Sequence, residues 1–302
     1  MAARREFDSI FRPGLLRDQV ILVTGGGTGI GRCIAHELAF LGALPVLAGR
    51  RREPLERTRD EIRGADREAD MVTLDIRDET AVDTTIREVV ERHGRLDGVV
   101  NNAGGQFASP AAFIRPKGWR AVVDTNLNGT WFVSQAAFLH ALSRSGGAIV
   151  NIVADMWNGF PGMAHTGAAR AGVVNLTRTL AVEWAPSGVR VNAVAPGGIL
   201  SSGLGNYPPE IQEAAARLLV KVPASRVGTE SEVSAAVVFL LSPAAAYITG
   251  AVIKVDGGSS LQKAPLLPLV PHDRSKPWNG FHLASEVPTC FSNPGGNSET
   301  DG

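Results

Sequence analysis

The residues best suited to binding a phosphate lie near the start of the chain. A glycine-rich stretch follows a short β-branched run, Gln19–Val23, and precedes a helical pattern. Glycines let the backbone approach a pyrophosphate closely, and the N-terminus of a helix offers free N–H groups and a positive dipole end. A tight turn without a ligand is the alternative, but the strand-to-helix position favours dinucleotide binding. The predicted loop residues are Thr24, Gly25, Gly27, Thr28, Gly29, Ile30 and Gly31.

The end of the second predicted strand, Leu44–Ala48, indicates which dinucleotide binds. An acidic residue there would bind the ribose hydroxyls of NAD, but this chain carries Arg50 and Arg51. Guanidinium groups bind a 2′-phosphate well, so we predict NADP, with NAD possible and a solvated basic helix start as the alternative. Asp75 and Ile76, after the third strand, are placed to meet the adenine.

These residues need elements that bring them to one edge of a sheet. Short apolar runs alternate with helical patterns from about residue 19 to residue 256, which predicts βαβ units and a doubly wound, Rossmann-type parallel sheet. The further predicted strands are Met71–Leu74, Gly98–Val100, Ala148–Ile152, Arg190–Val194 and Val252–Val255, and the predicted helices with clear bounds are Arg32–Leu41, Glu53–Arg63 and Glu79–His93.

We expect three segments along the chain. Residues 1–18 form an N-terminal extension, residues 19–260 the Rossmann-type catalytic domain, and residues 261–302 an irregular, proline-rich tail. The tail is expected to pack in part around Trp278 and Phe281 and to be disordered at its end.

Composition excludes several classes of protein. Thirty basic residues balance thirty acidic ones, so nothing favours nucleic acid as a partner. No apolar run is long enough to span a bilayer, and no secretory signal is evident, so we expect a cytoplasmic protein. Cys33 and Cys290 stand far apart and indicate neither a metal site nor a disulfide framework.

Five motifs together resemble the short-chain dehydrogenase/reductase superfamily. Besides the glycine-rich loop they are Asn101–Gly104, Asn126 within Thr125–Gly129, Pro196–Gly197 with Ile199 beyond it, and Ile248–Gly250 followed by Val255–Gly258. The resemblance covers about residues 15–260. It implies a Rossmann fold, NAD(P) held also by Asn102, Ala103, Gly104, Pro196, Gly197 and Ile199, and a homotetramer or homodimer.

The catalytic positions depart from that family's usual set. Asn126 remains, but the serine position falls at or beside Ala154, and tyrosine and lysine are replaced by Thr166 and Arg170. Residues four apart share a helix face, so both still point into one site. Neither is a useful acid or base near pH 7, although both donate hydrogen bonds and Arg170 can hold the ribose. Such a site suits reduction of a C=C conjugated to a thioester, where donors stabilise an enolate and water supplies the proton.

Three other polar residues could substitute for the missing tyrosine. His165 has the intrinsic pKa for proton transfer, with a packed histidine as the equal alternative. Asp155 follows the vacant serine position and could be a catalytic or supporting carboxylate. Tyr207 lies in the loop after Pro196–Gly197 and is more simply a lid or packing residue.

Two subgroups of the superfamily share further stretches with this chain. Gly159–Pro161, His165–Gly172 and Asn175–Trp184 look like peroxisomal trans-2-enoyl-CoA reductases, which implies an enoyl-CoA substrate and NADPH. Val153–Trp157 and the proline-rich tail resemble bacterial proteins of citronellol catabolism. The alternatives are therefore a dehydrogenase of acyclic terpenoid alcohols or aldehydes, with His165 as its base, and a cofactor-binding protein without turnover.

Overall fold

A seven-stranded parallel sheet forms the centre of the protein. The computed structural model describes residues 6–202, 221–261 and 270–284. The seven strands are β1 (Val20–Thr24), β2 (Leu44–Gly49), β3 (Asp70–Thr73), β4 (Gly98–Asn101), β5 (Gly147–Ile152), β6 (Val189–Pro196) and β9 (Val252–Val255), and a separate pair is formed by β7 (Ile199–Leu200) and β8 (Gly228–Thr229). The strand order in the sheet is β3-β2-β1-β4-β5-β6-β9, and every neighbouring pair is parallel.

Helices cover both faces of this sheet, as the alternating pattern predicts. The described helices are α1 (Gly29–Phe40), α2 (Arg52–Gly64), α3 (Glu79–His93), α4 (Pro116–Val123), α5 (Gly129–Ala137), α6 (Ser143–Ser145), α7 (Ala164–Glu183) and α8 (Glu230–Leu241). The predicted start of α1, at Arg32, is three residues late. The helix begins inside the glycine-rich loop because extended Thr28 is its N-cap residue.

Two hydrophobic layers hold the helices to the sheet. One packs strand residues such as Leu22 and Val99 against α3, α5 and α7, and the other packs Ile21 and Val150 against α1 and α8. Side chains alternate across a strand, so β1 supplies both layers. No helix in the described ranges is long and apolar enough to cross a membrane.

The order of the strands reverses at β1. The chain moves outward from β1 to β2 and β3, then returns to add β4 on the other side of β1. A crevice opens at the carboxyl ends of the strands at such a point, and ligands of doubly wound sheets bind there. The glycine-rich loop after β1 and the loop after β4 both end at this crevice.

An arm from the C-terminal region packs beside the start of α1 and α8. Phe281 is buried with Phe7 and Cys33, and its ring lies under the guanidinium of Arg32, 5.2 Å from the ring centroid. The Asp8 N–H donates to the carbonyl of Gly280, which joins the N-terminal extension to the arm. The rest of the predicted tail, residues 262–269 and 285–302, lies outside the described residues.

Candidate active site

Close backbone packing explains the glycines of the loop. A Cβ on Gly25 would lie 2.8 Å from Nδ2 of Asn102, and a Cβ on Gly31 would overlap both that amide and the carbonyl of Gly25. Gly25 also has a positive φ of 67°. The Thr28 side chain makes no cap bond to α1, so its hydroxyl does not occupy the first N–H groups of the helix, which are the groups that can bind an anion.

Thr24 and Asn102 join the carboxyl ends of β1 and β4. The Thr24 hydroxyl accepts the backbone N–H groups of Asn102 and Ala103 at 3.0 and 2.9 Å and donates to Val100. The Asn102 amide donates to the Thr24 carbonyl at 3.0 Å. Both predicted loops are therefore fixed to each other at the reversal of the sheet.

The basic cluster after β2 contains two unengaged arginines. Arg50 and Arg51 are exposed and make no hydrogen bond or ion pair with any other described residue, whereas Arg52 binds Glu56 at 2.7 Å. Asp75, two residues after the end of β3, is held by Arg77, whose hydrogen bonds lower the pKa of the carboxyl. Two guanidiniums without a hydrogen-bond partner among the described residues thus lie at the edge where the family pattern places the adenosine ribose, and the charge of Arg50 adds to the lowering of the Asp75 pKa.

Asn126 and Arg170 meet at Gly104, immediately after the second loop. A Cβ on Gly104 would overlap Nη2 of Arg170 and lie 2.8 Å from Oδ1 of Asn126. Arg170 is buried, and its Nη1 donates to the carbonyl of Ile152 at 2.6 Å. Burial lowers the pKa of Arg170 to about 10, so the guanidinium stays cationic at neutral pH.

The amide of Asn126 is already engaged with backbone. It lies in a π-helical turn, Asp124–Asn128, and its Nδ2 donates to the carbonyls of Gly105 and Val122 at 2.7 and 2.8 Å. Its Oδ1 accepts the N–H of Gly105. The side chain therefore fastens the loop at Gly104 and Gly105 to the helix.

Thr166 and His165 are both fully buried in the first turn of α7. Nδ1 of His165 accepts the Thr166 N–H at 2.8 Å and lies 3.3 Å from the Thr166 hydroxyl, while its ring packs edge-on against Phe107. Burial lowers the pKa of His165, and Nε2 is buried without a partner among the described residues. Burial therefore favours the neutral imidazole, while a hydrogen bond to the Met163 backbone opposes this shift. Nδ1 is already engaged by the Thr166 N–H.

Asp155 lies beside the Pro196–Gly197 turn. Its N–H donates to the Pro196 carbonyl at 3.1 Å, and its carboxylate accepts the hydroxyl of Ser259. A Cβ on Gly197 would lie 2.8 Å from Cα of Asp256, which explains the glycine.

The other predicted residues lie in separate places. Ile199 is buried in β7, and Ile76 packs against Gly129. Tyr207 lies outside the described residues.

A buried polar chain behind the site was not anticipated from the sequence. Asn101 donates to Ser134 and Asn151, and Asn151 donates to Thr177 at 2.9 Å. These groups join β4 and β5 to α5, which follows the turn that holds Asn126, and to α7, which carries Thr166 and Arg170. The sequence does contain a sign of this chain, because Asn101 and Asn151 are polar residues within otherwise apolar strands and a buried polar group needs a hydrogen-bond partner.

Known proteins match most of the chain. A family model described as enoyl-(acyl carrier protein) reductase matches residues 25–260. A probable 2,4-dienoyl-CoA reductase, (2E)-enoyl-CoA-producing, of Bacillus subtilis strain 168 is 41% identical over 83% of this chain and 100% of its own length. A peroxisomal 2,4-dienoyl-CoA reductase, (3E)-enoyl-CoA-producing, of Danio rerio is 36% identical over 86% of this chain and 87% of its own length.

A solved structure matches the same part of the chain. It is named a citronellol catabolism dehydrogenase of Pseudomonas aeruginosa PAO1 and is 51% identical, with a TM-score of 0.76. The match covers 84% of this chain and 100% of that chain.

Proposed function

This chain belongs to the short-chain dehydrogenase/reductase family, whose members are NAD(P)-dependent oxidoreductases, and we propose that it reduces a C=C bond conjugated to the thioester of an acyl-CoA. The names of two relatives make 2,4-dienoyl-CoA the first substrate class to test, with trans-2-enoyl-CoA beside it. Fatty, branched and terpenoid acyl groups all fall within this proposal.

The observation that carries the proposal is that the two side chains of α7 at the site can donate hydrogen bonds but cannot readily give or take a proton. Arg170 is buried and cationic, Thr166 offers a hydroxyl, and neither exchanges a proton readily near pH 7. Reduction of a ketone or aldehyde needs a proton on the new alkoxide. Reduction of a conjugated C=C leaves an enolate, whose oxygen needs hydrogen-bond donors and whose carbon takes a proton from water.

In this reaction the residues of the site have separate roles. When bound, the dinucleotide supplies the hydride. Thr166 and Arg170 stabilise the thioester oxygen, and Asn126 positions the loop at Gly104 and Gly105. Hydride added at C5 of a 2,4-dienoyl thioester would leave a dienolate with its charge on the thioester oxygen. Protonation at C2 then gives a 3-enoyl product, and protonation at C4 gives a 2-enoyl product. These are the two products in the relatives' names, so placement of water against the acyl chain decides the outcome.

We assign the dinucleotide to the crevice at the reversal of the sheet, with NADP preferred. Residues 24–31 hold the pyrophosphate, and Arg50 and Arg51 hold the 2′-phosphate. Asp75 and Ile76 border the adenine. The remaining contacts, toward the nicotinamide and its ribose, are assigned to Asn102, Ala103, Gly104, Arg170, Pro196, Gly197 and Ile199.

A dehydrogenase of acyclic terpenoid alcohols is the second candidate. Its support is the 51% identical solved structure, which is named a citronellol catabolism dehydrogenase. That reaction needs a base for the alcohol proton, and His165 or Asp155 would have to serve. The engaged Nδ1 of His165 and the serine contact of Asp155 weigh against both residues.

A substrate panel separates these candidates. Purified protein is assayed with NADPH and NADH against hexadienoyl-, crotonyl- and branched enoyl-CoA, and with NADP⁺ and NAD⁺ against citronellol and geraniol. We expect oxidation of NADPH with the thioesters and a loss of at least about tenfold in kcat for Thr166→Val, an isosteric change without the hydroxyl. Turnover of the alcohols but not the thioesters would overturn the proposal.

The remaining expectations follow the family resemblance. A homotetramer or homodimer and a cytoplasmic location stay predictions. Size-exclusion chromatography with light scattering tests the first, and a tagged full-length chain in its host tests the second.

A further inference from the structure

Glu230 places a carboxyl group directly beside the glycine-rich loop. It is the first residue of α8, and only 4% of it is exposed. A Cβ on Gly29 would lie 3.8 Å from Oε1 of Glu230 and 3.4 Å from the hydroxyl of Ser202. Thus α8, the segment after β7 and the start of α1 converge at one point.

The carboxyl of Glu230 is incompletely satisfied. The backbone N–H of Ser202 bonds to it, but Oε1 is buried with no hydrogen-bond partner in the described part of the chain. Buried polar atoms in folded proteins almost always have a partner, so an unpaired oxygen at a ligand-binding loop points to a missing one. Burial raises the pKa of Glu230 to about 7, and the charge of Arg32 opposes this shift.

Few positively charged groups near Glu230 are available to balance the negative charge of its ionised carboxylate. Arg32 of α1 is already bound to Glu61 by two hydrogen bonds of 2.8 Å. Cys33, also on α1, is a buried thiol whose pKa is raised by burial and then by Glu230 and Glu37. On the side of the arm, His282 packs against His36, and burial lowers the pKa of both imidazoles.

The first turn of α8 is also held in place. Thr229 and Glu232 form a capping box, and the Thr229 hydroxyl donates to the carbonyl of Trp278 at 2.6 Å. The Ser231 hydroxyl accepts the N–H groups of Gly280 and Phe281. These bonds to the arm hold Glu230 against the loop.

We propose that Glu230 is a further dinucleotide-binding residue, which acts as a neutral carboxylic acid beside the pyrophosphate loop, so that binding of the cofactor takes up a proton. An ionised carboxylate here would repel the two negative charges of a pyrophosphate, whereas a protonated one donates a hydrogen bond to it. The proton comes from solvent and remains on Glu230 while the cofactor is bound. This assignment rests on the proposed dinucleotide site.

The test measures cofactor Kd from pH 6 to 9 by fluorescence titration. It compares wild type, Glu230→Gln and the control Glu37→Gln, whose carboxyl is equally buried but already accepts Ser9 and Ser234. Above pH 7 we expect the wild-type Kd to rise by up to about tenfold per pH unit relative to Glu230→Gln. The two curves should meet near pH 6, and Glu37→Gln should follow wild type. Titration of the 2′-phosphate is common to all three.

A second measurement needs only the wild-type protein, so it tests the proposal even if Glu230→Gln does not fold. Titration calorimetry in two buffers of different ionisation enthalpy measures the number of protons taken up when the cofactor binds. With NADH, which has no 2′-phosphate, wild type should take up close to one proton per cofactor at pH 8. Parallel Kd curves, or no proton uptake by wild type, would overturn the role of Glu230. Absence of any cofactor binding by wild type would overturn the proposed function as well.

Discussion

The guanidinium of Arg170 lies against the backbone of Gly104 so closely that no side chain fits between them. A Cβ at position 104 would overlap Nη2, and it would lie 2.8 Å from Oδ1 of Asn126. The cation on α7 and the loop after β4 are therefore positioned by one glycine. The neighbouring Gly105 provides a natural comparison, because a Cβ there would meet no atom of the described residues within 4 Å.

Gly104→Ala is expected to lower kcat/KM by about 100-fold, because the new methyl group must displace Arg170 or the loop. Gly105→Ala should keep most of the activity. Steady-state kinetics with NADPH and a dienoyl-CoA measure both variants, with circular dichroism to confirm folding. Equal losses in the two variants would contradict the assignment of this contact.

Replacing Arg50 and Arg51 by alanine is expected to raise the Kd for NADPH by about 10- to 100-fold, because hydrogen bonds to charged groups contribute about 1.5–3 kcal/mol. The Kd for NADH should hardly change, since NADH has no 2′-phosphate. The control is Arg52→Ala, whose guanidinium binds Glu56. A similar loss for both cofactors would point to a general electrostatic effect instead.

Folding stability should fall as pH rises through the titration of buried carboxyls. Burial raises the pKa of Glu37 from 4.5 to about 7, so the folded state holds a proton that the unfolded chain releases. Its contribution is complete below about pH 4.5 and is lost as pH approaches 7, a change of about 3 kcal/mol. Glu37→Gln should flatten this part of the curve in urea unfolding, while exposed Glu53→Gln should leave it unchanged.

Phe281→Ala is expected to lower the free energy of unfolding by about 3 kcal/mol, because it leaves a cavity between the arm and α1. Phe281 is 3% exposed and packs with Phe7 and His36. Val270→Ala, at a residue 75% exposed, is the control. If both variants unfold at the same urea concentration as wild type, the arm does not contribute to global stability.

Much of the fold follows directly from local patterns. Short apolar runs and the helical segments between them predict a parallel sheet, and α3 and β9 have the predicted bounds. The predicted start of α1 is wrong, because glycines at 29 and 31 are poor helix formers and give no helical pattern in the sequence, whereas the backbone is helical from Gly29 onward. Resemblance located Asn126, Thr166 and Arg170, but it could not show that the Asn126 amide is saturated by backbone.

The sequence by itself determined the fold class, the glycine-rich loop between the first strand and the first helix, and the absence of the family's usual tyrosine, because each depends on residue types at close spacing. Only the tertiary structure placed Glu230 beside Gly29 and Arg170 against Gly104, since these pairs are far apart in the chain. The same holds for the pKa values, which follow from burial and neighbouring charge rather than from residue type. Glu230 and Glu37 differ from the exposed Glu53 of α2 only in what surrounds them.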